Sequence, residues 1–80
     1  MECIEFDYSK LKGKIKEIFG TQDNFANALN MGRVSLSQRL NNSLEFSQQE
    51  MLNSCRVLHI KIIDIPEYFF KEKVHKHELK

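Results

Sequence analysis

Apolar side chains recur at helical spacing through the first twenty residues of the chain. They are separated by three, four, three and one positions, which places them in a single stripe on a helix. The pattern predicts a first helix from about residue 8 or 9 to Phe19, and Gly20 behind it can adopt the positive φ of a helix end. The stripe consists of Tyr8, Leu11, Ile15, Ile18 and Phe19.

Two short helices joined by a tight turn are predicted next, over residues 22–29 and 33–41. Thr21 is a suitable N-cap for the first of them. Asn30 suits the turn, because asparagine tolerates the left-handed conformation better than other non-glycine residues. The positions predicted to face inward are Phe25, Ala26, Leu29, Met31, Leu36 and Leu40.

A fourth helix has the clearest local signal in the chain. Ser47 and Glu50 have the spacing of a capping box, in which each side chain accepts a hydrogen bond from the other residue's backbone N–H. Phe46 and Met51 occupy the positions of a hydrophobic staple. The sequence therefore predicts that this helix begins directly after Ser47.

The remaining segments complete an all-α architecture of five short helices. Residues 59–63 alternate weakly in polarity and could be extended, whereas residues 64–67 (DIPE) predict the capped start of a short fifth helix. Residues 1–7 are predicted to form a loose arm and residues 71–80 a charged tail. We therefore expect residues 1–80 to form one compact domain.

Composition is that of an ordinary soluble domain. The chain has 80 residues, 41% hydrophobic and 29% charged. No apolar run approaches the roughly 18 residues needed to span a membrane, and no secretory signal is visible, so we expect a cytoplasmic protein. In that reducing compartment Cys3 and Cys55 should be free thiols, with Cys55 a small core residue.

Catalytic and metal-binding patterns are missing from the sequence. We find no nucleophile–base–acid set, phosphate-binding loop or paired carboxylates, so we expect neither an enzyme nor a cofactor or small-molecule ligand. His75 and His77 form an H-x-H pair without accompanying Cys or carboxylate ligands, which argues against a metal site. His59 is interpreted as a partly buried interface residue.

The outward positions of the third helix point to nucleic-acid chemistry. Arg33 suits the two acceptors of guanine, Val34 a thymine methyl group, and Gln38 an adenine, while Ser37 lies one turn from Arg33. The two helices and their turn have the layout of a DNA-binding helix-turn-helix, and we predict base readout from these four residues. The alternative is a solvated polar face, which any surface helix requires.

Contacts with the DNA backbone are predicted around both ends of this motif. Gln22 and the N-terminus of its helix can donate hydrogen bonds to a phosphate, and Arg39 could reach a phosphate or pair with an acid. Net charge is only +1, so the case for DNA depends on where the charges lie. As plain turn residues, Asn42 and Ser43 would need no function. The predicted backbone contacts are Thr21, Gln22, Ser35, Asn41, Asn42 and Ser43.

A surplus of apolar side chains follows the fourth helix. A domain this small can bury only part of it, and exposed apolar patches mark interfaces. The sequence therefore predicts a homodimer, although the whole cluster could instead pack into one core. The predicted interface consists of Ile60, Ile62, Ile63, Tyr68, Phe69 and Phe70.

At the level of family, the chain resembles the small Cro-like regulators of phages of Gram-positive bacteria, in the lambda-repressor-like superfamily. The resemblance covers roughly residues 7–70 and is carried by DYSKLKGKIKEIFGTQ, FANAL, SLSQRLNN, the Ser47 cap and DIPEYFF. The chain departs from the family's usual turn by having Asn30 and Gly32, and Gly32 offers no side-chain cap.

The resemblance implies a dimer that binds a double-stranded operator in the cytoplasm of a bacterial host, with the third helix in the major groove. It would act as a transcriptional regulator, and without a separate sensor domain it would respond to concentration. A rival interpretation is a protein-binding antirepressor on the same fold, supported by the balanced charge. Phosphate-contacting binders lose affinity steeply with salt, whereas an apolar protein contact does not.

Overall fold

Five α-helices make up the computed structural model, which describes residues 4–73. They are α1 (Ser9–Phe19), α2 (Gln22–Ala28), α3 (Arg33–Leu40), α4 (Gln48–Leu58) and α5 (Ile65–Phe69). One 3₁₀ turn, Ile62–Asp64, precedes α5. Within this part of the chain no helix is long and apolar enough to cross a membrane. The all-α, five-helix prediction is confirmed.

The helix ends form where their local chemistry predicts. Thr21 caps α2 by accepting the Asn24 N–H, and Ser47 and Glu50 form the complete capping box of α4. Gly20 and Asn30 have φ values of 78° and 57°, the left-handed conformation that each of these residue types tolerates. The boundaries of all five helices therefore agree with the sequence within one residue or two.

The core lies where α1 packs on α2, α4 and α5, and α2 packs on α3. Its largest fully buried side chains are Phe25, Phe69, Leu11, Ile15, Leu36 and Leu58. Ala26 is also buried, at the close approach of α2 and α3. The predicted inward positions are confirmed, because Leu29 and Met31 pack against this cluster as partly buried residues.

Two connections differ from the sequence predictions. His59 ends α4 in the left-handed conformation and is exposed, so it is not a partly buried residue. The segment proposed as extended turns into the 3₁₀ helix, and the Asp64 side chain accepts no hydrogen bond from the first turn of α5. Pro66, which has no N–H to satisfy, instead favours the start of α5.

The N-terminal arm is held in place over residues 4–7, contrary to the prediction of a loose arm. Asp7 N–H donates to Lys71 O over 2.6 Å, and Lys73 N–H donates to Glu5 O over 2.9 Å, around an antiparallel bridge. The amide of Asn42 binds the other edge, accepting from Phe6 N–H at 2.8 Å and donating to Phe6 O at 3.0 Å. The arm is thus paired on both sides. The H-x-H pair and Cys3 lie outside the described residues.

Candidate functional site

The four predicted base-reading residues lie on one face of α3. Arg33, Val34 and Gln38 are exposed, and Ser37 is half-buried. Val34 is 70% exposed, a large fraction for an apolar side chain. The structure therefore brings these residues together at the surface, and their contact with DNA bases stays a prediction.

Both cations of α3 are paired with acids of this same chain. The guanidinium of Arg33 turns back across the motif to the carboxylate of Asp23 on α2. Arg39 donates from Nε to Glu50 on α4 over 2.8 Å and from its terminal nitrogen to Ser35 O over 2.8 Å. A phosphate would have to compete with these carboxylates for both side chains. The outer face of α3 consequently presents little uncompensated positive charge.

Glu50 connects this face to the start of α4, because one carboxylate oxygen accepts from both Arg39 and the Ser47 N–H. Burial raises the pKa of Glu50, but the hydrogen bonds from Arg39 and the Ser47 backbone outweigh it and hold the pKa below its ordinary value. A carboxyl whose folded pKa is lowered contributes stability above its unfolded pKa. That contribution is lost as pH falls through the folded value.

We therefore expect acid to remove part of the stability through Glu50. In chemical denaturation, the advantage of the natural protein over a Glu50→Gln variant should shrink as pH falls from about 6 to about 3. Glu17→Gln controls for the loss of one negative charge, since Glu17 lies on the exposed surface of α1. A stability difference between natural protein and Glu50→Gln that is constant with pH would contradict the expectation.

Five of the six residues predicted to contact the DNA backbone lie at or near the surface, and the sixth, Asn42, binds the N-terminal arm. Thr21, Asn41 and Ser43 are exposed, while Gln22 and Ser35 are half-buried. Thr21 serves as the α2 cap, and Asn41 donates to Ser37 Oγ over 3.3 Å. Asn42 uses both ends of its amide on the arm, so it is a structural residue here. Contact of the others with phosphate stays a prediction.

The predicted dimer interface contains two residues that belong to the core of the monomer. Ile60 is 8% exposed and Phe69 only 2%, so assigning them to an interface was wrong. Tyr68 is partly buried, and the ammonium of Lys10 lies 5.0 Å from its ring centroid. Ile62, Ile63 and Phe70 are exposed and could still contact a partner. The cause of the error is that α5 folds back on α1 and α4, which buries one side of the cluster.

A cleft that the sequence analysis missed opens between the arm and the α3–α4 loop. Two adjoining cavities of about 110 and 430 Å³ share three lining residues, Phe6, Tyr8 and Glu45. A signal for it was present: Ile4, Phe6 and Tyr8 alternate with polar residues, the period of an extended segment with one apolar face. The other lining residues are Ile4, Asn42, Ser43, Leu44, Phe46, Met51, Phe69 and Phe70.

These observations define a small all-α domain in which both arginines of α3 are ion-paired within the chain. Residues 4–72 match the family model described as "Protein of unknown function (DUF739)", and the chain belongs to that family. It is also similar to the modulator of repression (MOR) of the temperate bacteriophage TP901-1 from Lactococcus lactis, known from a solution structure. Identity is 44%, with 88% of this chain and 95% of that one covered, and the TM-score is 0.75. No curated protein matches the chain.

These findings correct the family drawn from the sequence. The chain belongs to the DUF739 family and is similar to a modulator of repression, so its assignment to the Cro-like DNA-binding repressors was wrong. The residues quoted for the Cro-like resemblance include caps, turn residues and core positions, which any protein on this scaffold needs. They identified the fold correctly and the family wrongly.

Proposed function

We propose that the chain is an antirepressor-type regulator, which binds a DNA-binding repressor and lowers the repressor's occupancy of its operator. The observation that carries the proposal is the 44% identity to a phage modulator of repression over nearly the whole of both chains. In this proposal the chain acts in the cytoplasm of a bacterial host, where repressor and operator meet. It performs no catalytic step and needs no cofactor.

Charge supports a protein partner over direct operator binding. Affinity for DNA comes largely from lysine and arginine side chains that neutralise phosphates. Here the net charge is +1, and both arginines of α3 pair with Asp23 and Glu50. On α1, Lys10 pairs with Glu67 and Lys14 lies 3.7 Å from Glu17. Much of the positive charge that DNA would attract is therefore already balanced within the chain.

The exposed surface of α3 suits a protein contact as well as it suits a nucleic acid. Val34 offers an apolar surface and Gln38 an exposed amide, next to an arginine whose charge is balanced. The fold alone does not decide the partner, since function resides in the site and not in the scaffold. Self-association through Ile62, Ile63 and Phe70 stays a separate prediction.

The proposal is tested by mixing three purified components: this chain, the repressor encoded in the same phage genome, and a labelled operator duplex. We expect the chain alone to leave the operator unretarded in a native gel. Added to a preformed repressor–operator complex, it should release the duplex. Sedimentation without DNA should show a stable complex of chain and repressor.

Two controls sharpen the result. Excess random duplex in every lane removes weak electrostatic binding, which is independent of sequence. Arg33→Ala tests whether α3 binds the operator directly. If Arg33 read a base, the chain would need this side chain to retard the operator. Retardation of the operator by the chain alone, abolished by Arg33→Ala, would overturn the proposal, as would the absence of a repressor complex in sedimentation.

A further inference from the structure

Resting on the proposed function, we propose that the cleft between the N-terminal arm and the α3–α4 loop receives a long basic side chain. That side chain would be an arginine or a lysine from the DNA-binding face of the repressor. A repressor side chain held in the cleft would no longer be available to bind the operator.

The cleft has apolar walls built from aromatic rings in tilted and edge-to-face contact. Tyr8 and Phe46 pack edge to face with ring centroids 5.5 Å apart, and Phe6 lies 6.3 Å from both Tyr8 and Phe70. Leu44 and Ile4 are exposed at its outer end. Such a surface matches the methylene stem of a lysine or arginine, which buries apolar length while its charged head stays near water.

The charge of the cleft favours a positively charged head group on the side chain that enters it. Among the described residues that line the two cavities, Glu45 alone carries a formal charge, and that charge is negative. Glu45 lines both cavities together with Tyr8. Burial raises the pKa of Tyr8, and the negative charge of Glu45 raises it further. A cation over an aromatic face gains additional attraction, strongest where water is partly excluded. An anion or a neutral polar group would gain neither effect.

An aromatic ring and a carboxylate already hold a cation elsewhere in this chain. The ammonium of Lys10 lies 5.0 Å from the centroid of the Tyr68 ring and is ion-paired with Glu67. There a ring and a neighbouring carboxylate share one basic side chain. In the cleft, Tyr8 and Glu45 line the same two cavities, and within residues 4–73 no cation lies within ion-pairing distance of Glu45. Glu45 is exposed, so its carboxylate is accessible to a cation from a partner.

A repressor would present such a cation where it contacts DNA. Arginine and lysine supply most phosphate contacts, and arginine is the commonest reader of guanine. A basic side chain held in the cleft cannot bind the operator at the same time. In this way the chain would compete with the operator for one basic side chain, which it would hold between the Glu45 carboxylate and the apolar wall of the cleft.

The cleft is tested first with a small probe, N-acetyl-L-argininamide, titrated into isotopically labelled protein and followed by NMR. We expect saturable shifts confined to Tyr8, Glu45, Phe46 and their neighbours. N-acetyl-L-citrullinamide, which has nearly the same shape without the charge, should bind about threefold to tenfold more weakly. Glu45→Gln should weaken the arginine probe by a similar factor. Glu17→Gln, an exposed glutamate outside the cleft, should not.

The second arm measures affinity for the repressor of the same phage genome. Glu45→Gln should weaken the complex about threefold to tenfold, and Glu17→Gln should leave it unchanged. The inference is overturned if the probe shifts no cleft residue, if citrulline binds as well as arginine, or if the repressor binds Glu45→Gln as tightly as the natural chain. If the repressor does not bind the natural chain at all, the proposed function and the identity of the partner both fail. The probe titration then still decides the cation preference of the cleft.

Discussion

Replacing Phe69 by alanine is expected to lower the free energy of unfolding by about 3–5 kcal/mol. The ring is 2% exposed and packs edge to face on Phe46 at 5.1 Å, so its removal leaves a cavity where α5 meets the rest of the core. An 80-residue domain has only about 4–12 kcal/mol of stability, so this is a large share. Urea denaturation followed by circular dichroism measures the change.

The neighbouring residue offers a matched control. Phe70 is 49% exposed, and Phe70→Ala should cost less than about half as much as Phe69→Ala, because less apolar area leaves the core. If Phe69→Ala does not fold, Phe69→Leu gives the same ranking with a cost of about 1–2 kcal/mol. Equal costs at the two positions would contradict the assignment of Phe69 to the core and favour the interface predicted from sequence.

Local chemistry made much of the fold predictable. The caps at Thr21 and Ser47 depend on side chains within three residues of the groups they satisfy, so the sequence alone contains the whole interaction. The turn at Asn30 is equally local. Apolar spacing identified the buried faces of α1 and α3, as the positions of Leu11, Ile15 and Leu36 confirm. Ile18, predicted in the α1 stripe, is exposed instead.

Interactions between distant parts of the chain were not predictable in the same way. Phe6 and Asn42 are 36 residues apart, so nothing near Asn42 indicates that its amide holds the arm. The pairs Arg33–Asp23 and Arg39–Glu50 are likewise separated by ten and eleven residues. From the sequence, a basic residue on a helix face suggests a contact with phosphate. The folded chain shows instead that an acidic side chain already neutralises it.

Function was harder to predict from the sequence than the fold, because the pattern used to predict it reports packing and not the binding partner. The helix-turn-helix pattern is a packing pattern: Phe25, Ala26, Leu36 and Leu40 bring two helices together whatever the outer face binds. This packing leaves the outer face of α3 unconstrained, so the pattern does not identify the partner, and the ion pairs of Arg33 and Arg39 could not be read from it. A net charge of +1 was the one sequence observation that pointed toward a protein partner.

Replacing Asn42 by alanine is expected to destabilise the domain by about 2–4 kcal/mol and to release the arm. Two terms add. The first is the loss of both hydrogen bonds to Phe6, at 2.8 and 3.0 Å. The second is backbone strain, because Asn42 has a φ of 67°, which alanine adopts at a cost and asparagine more readily. Denaturation measures the total, and hydrogen exchange at the Phe6 amide reports the arm directly.

A glycine at the same position separates the two terms. Asn42→Gly loses both hydrogen bonds but accepts the positive φ, so it should be about 1 kcal/mol less destabilising than Asn42→Ala. Exchange at the Phe6 amide should nevertheless be fast in both variants, because its acceptor is gone. Asn42→Asp keeps an acceptor for the Phe6 N–H and loses the donor to Phe6 O, which should give intermediate stability and a protected amide. Slow exchange at Phe6 in the glycine variant would show that Asn42 does not hold the arm, and that the cleft wall formed by Phe6 depends on the pairing with residues 71–73 alone.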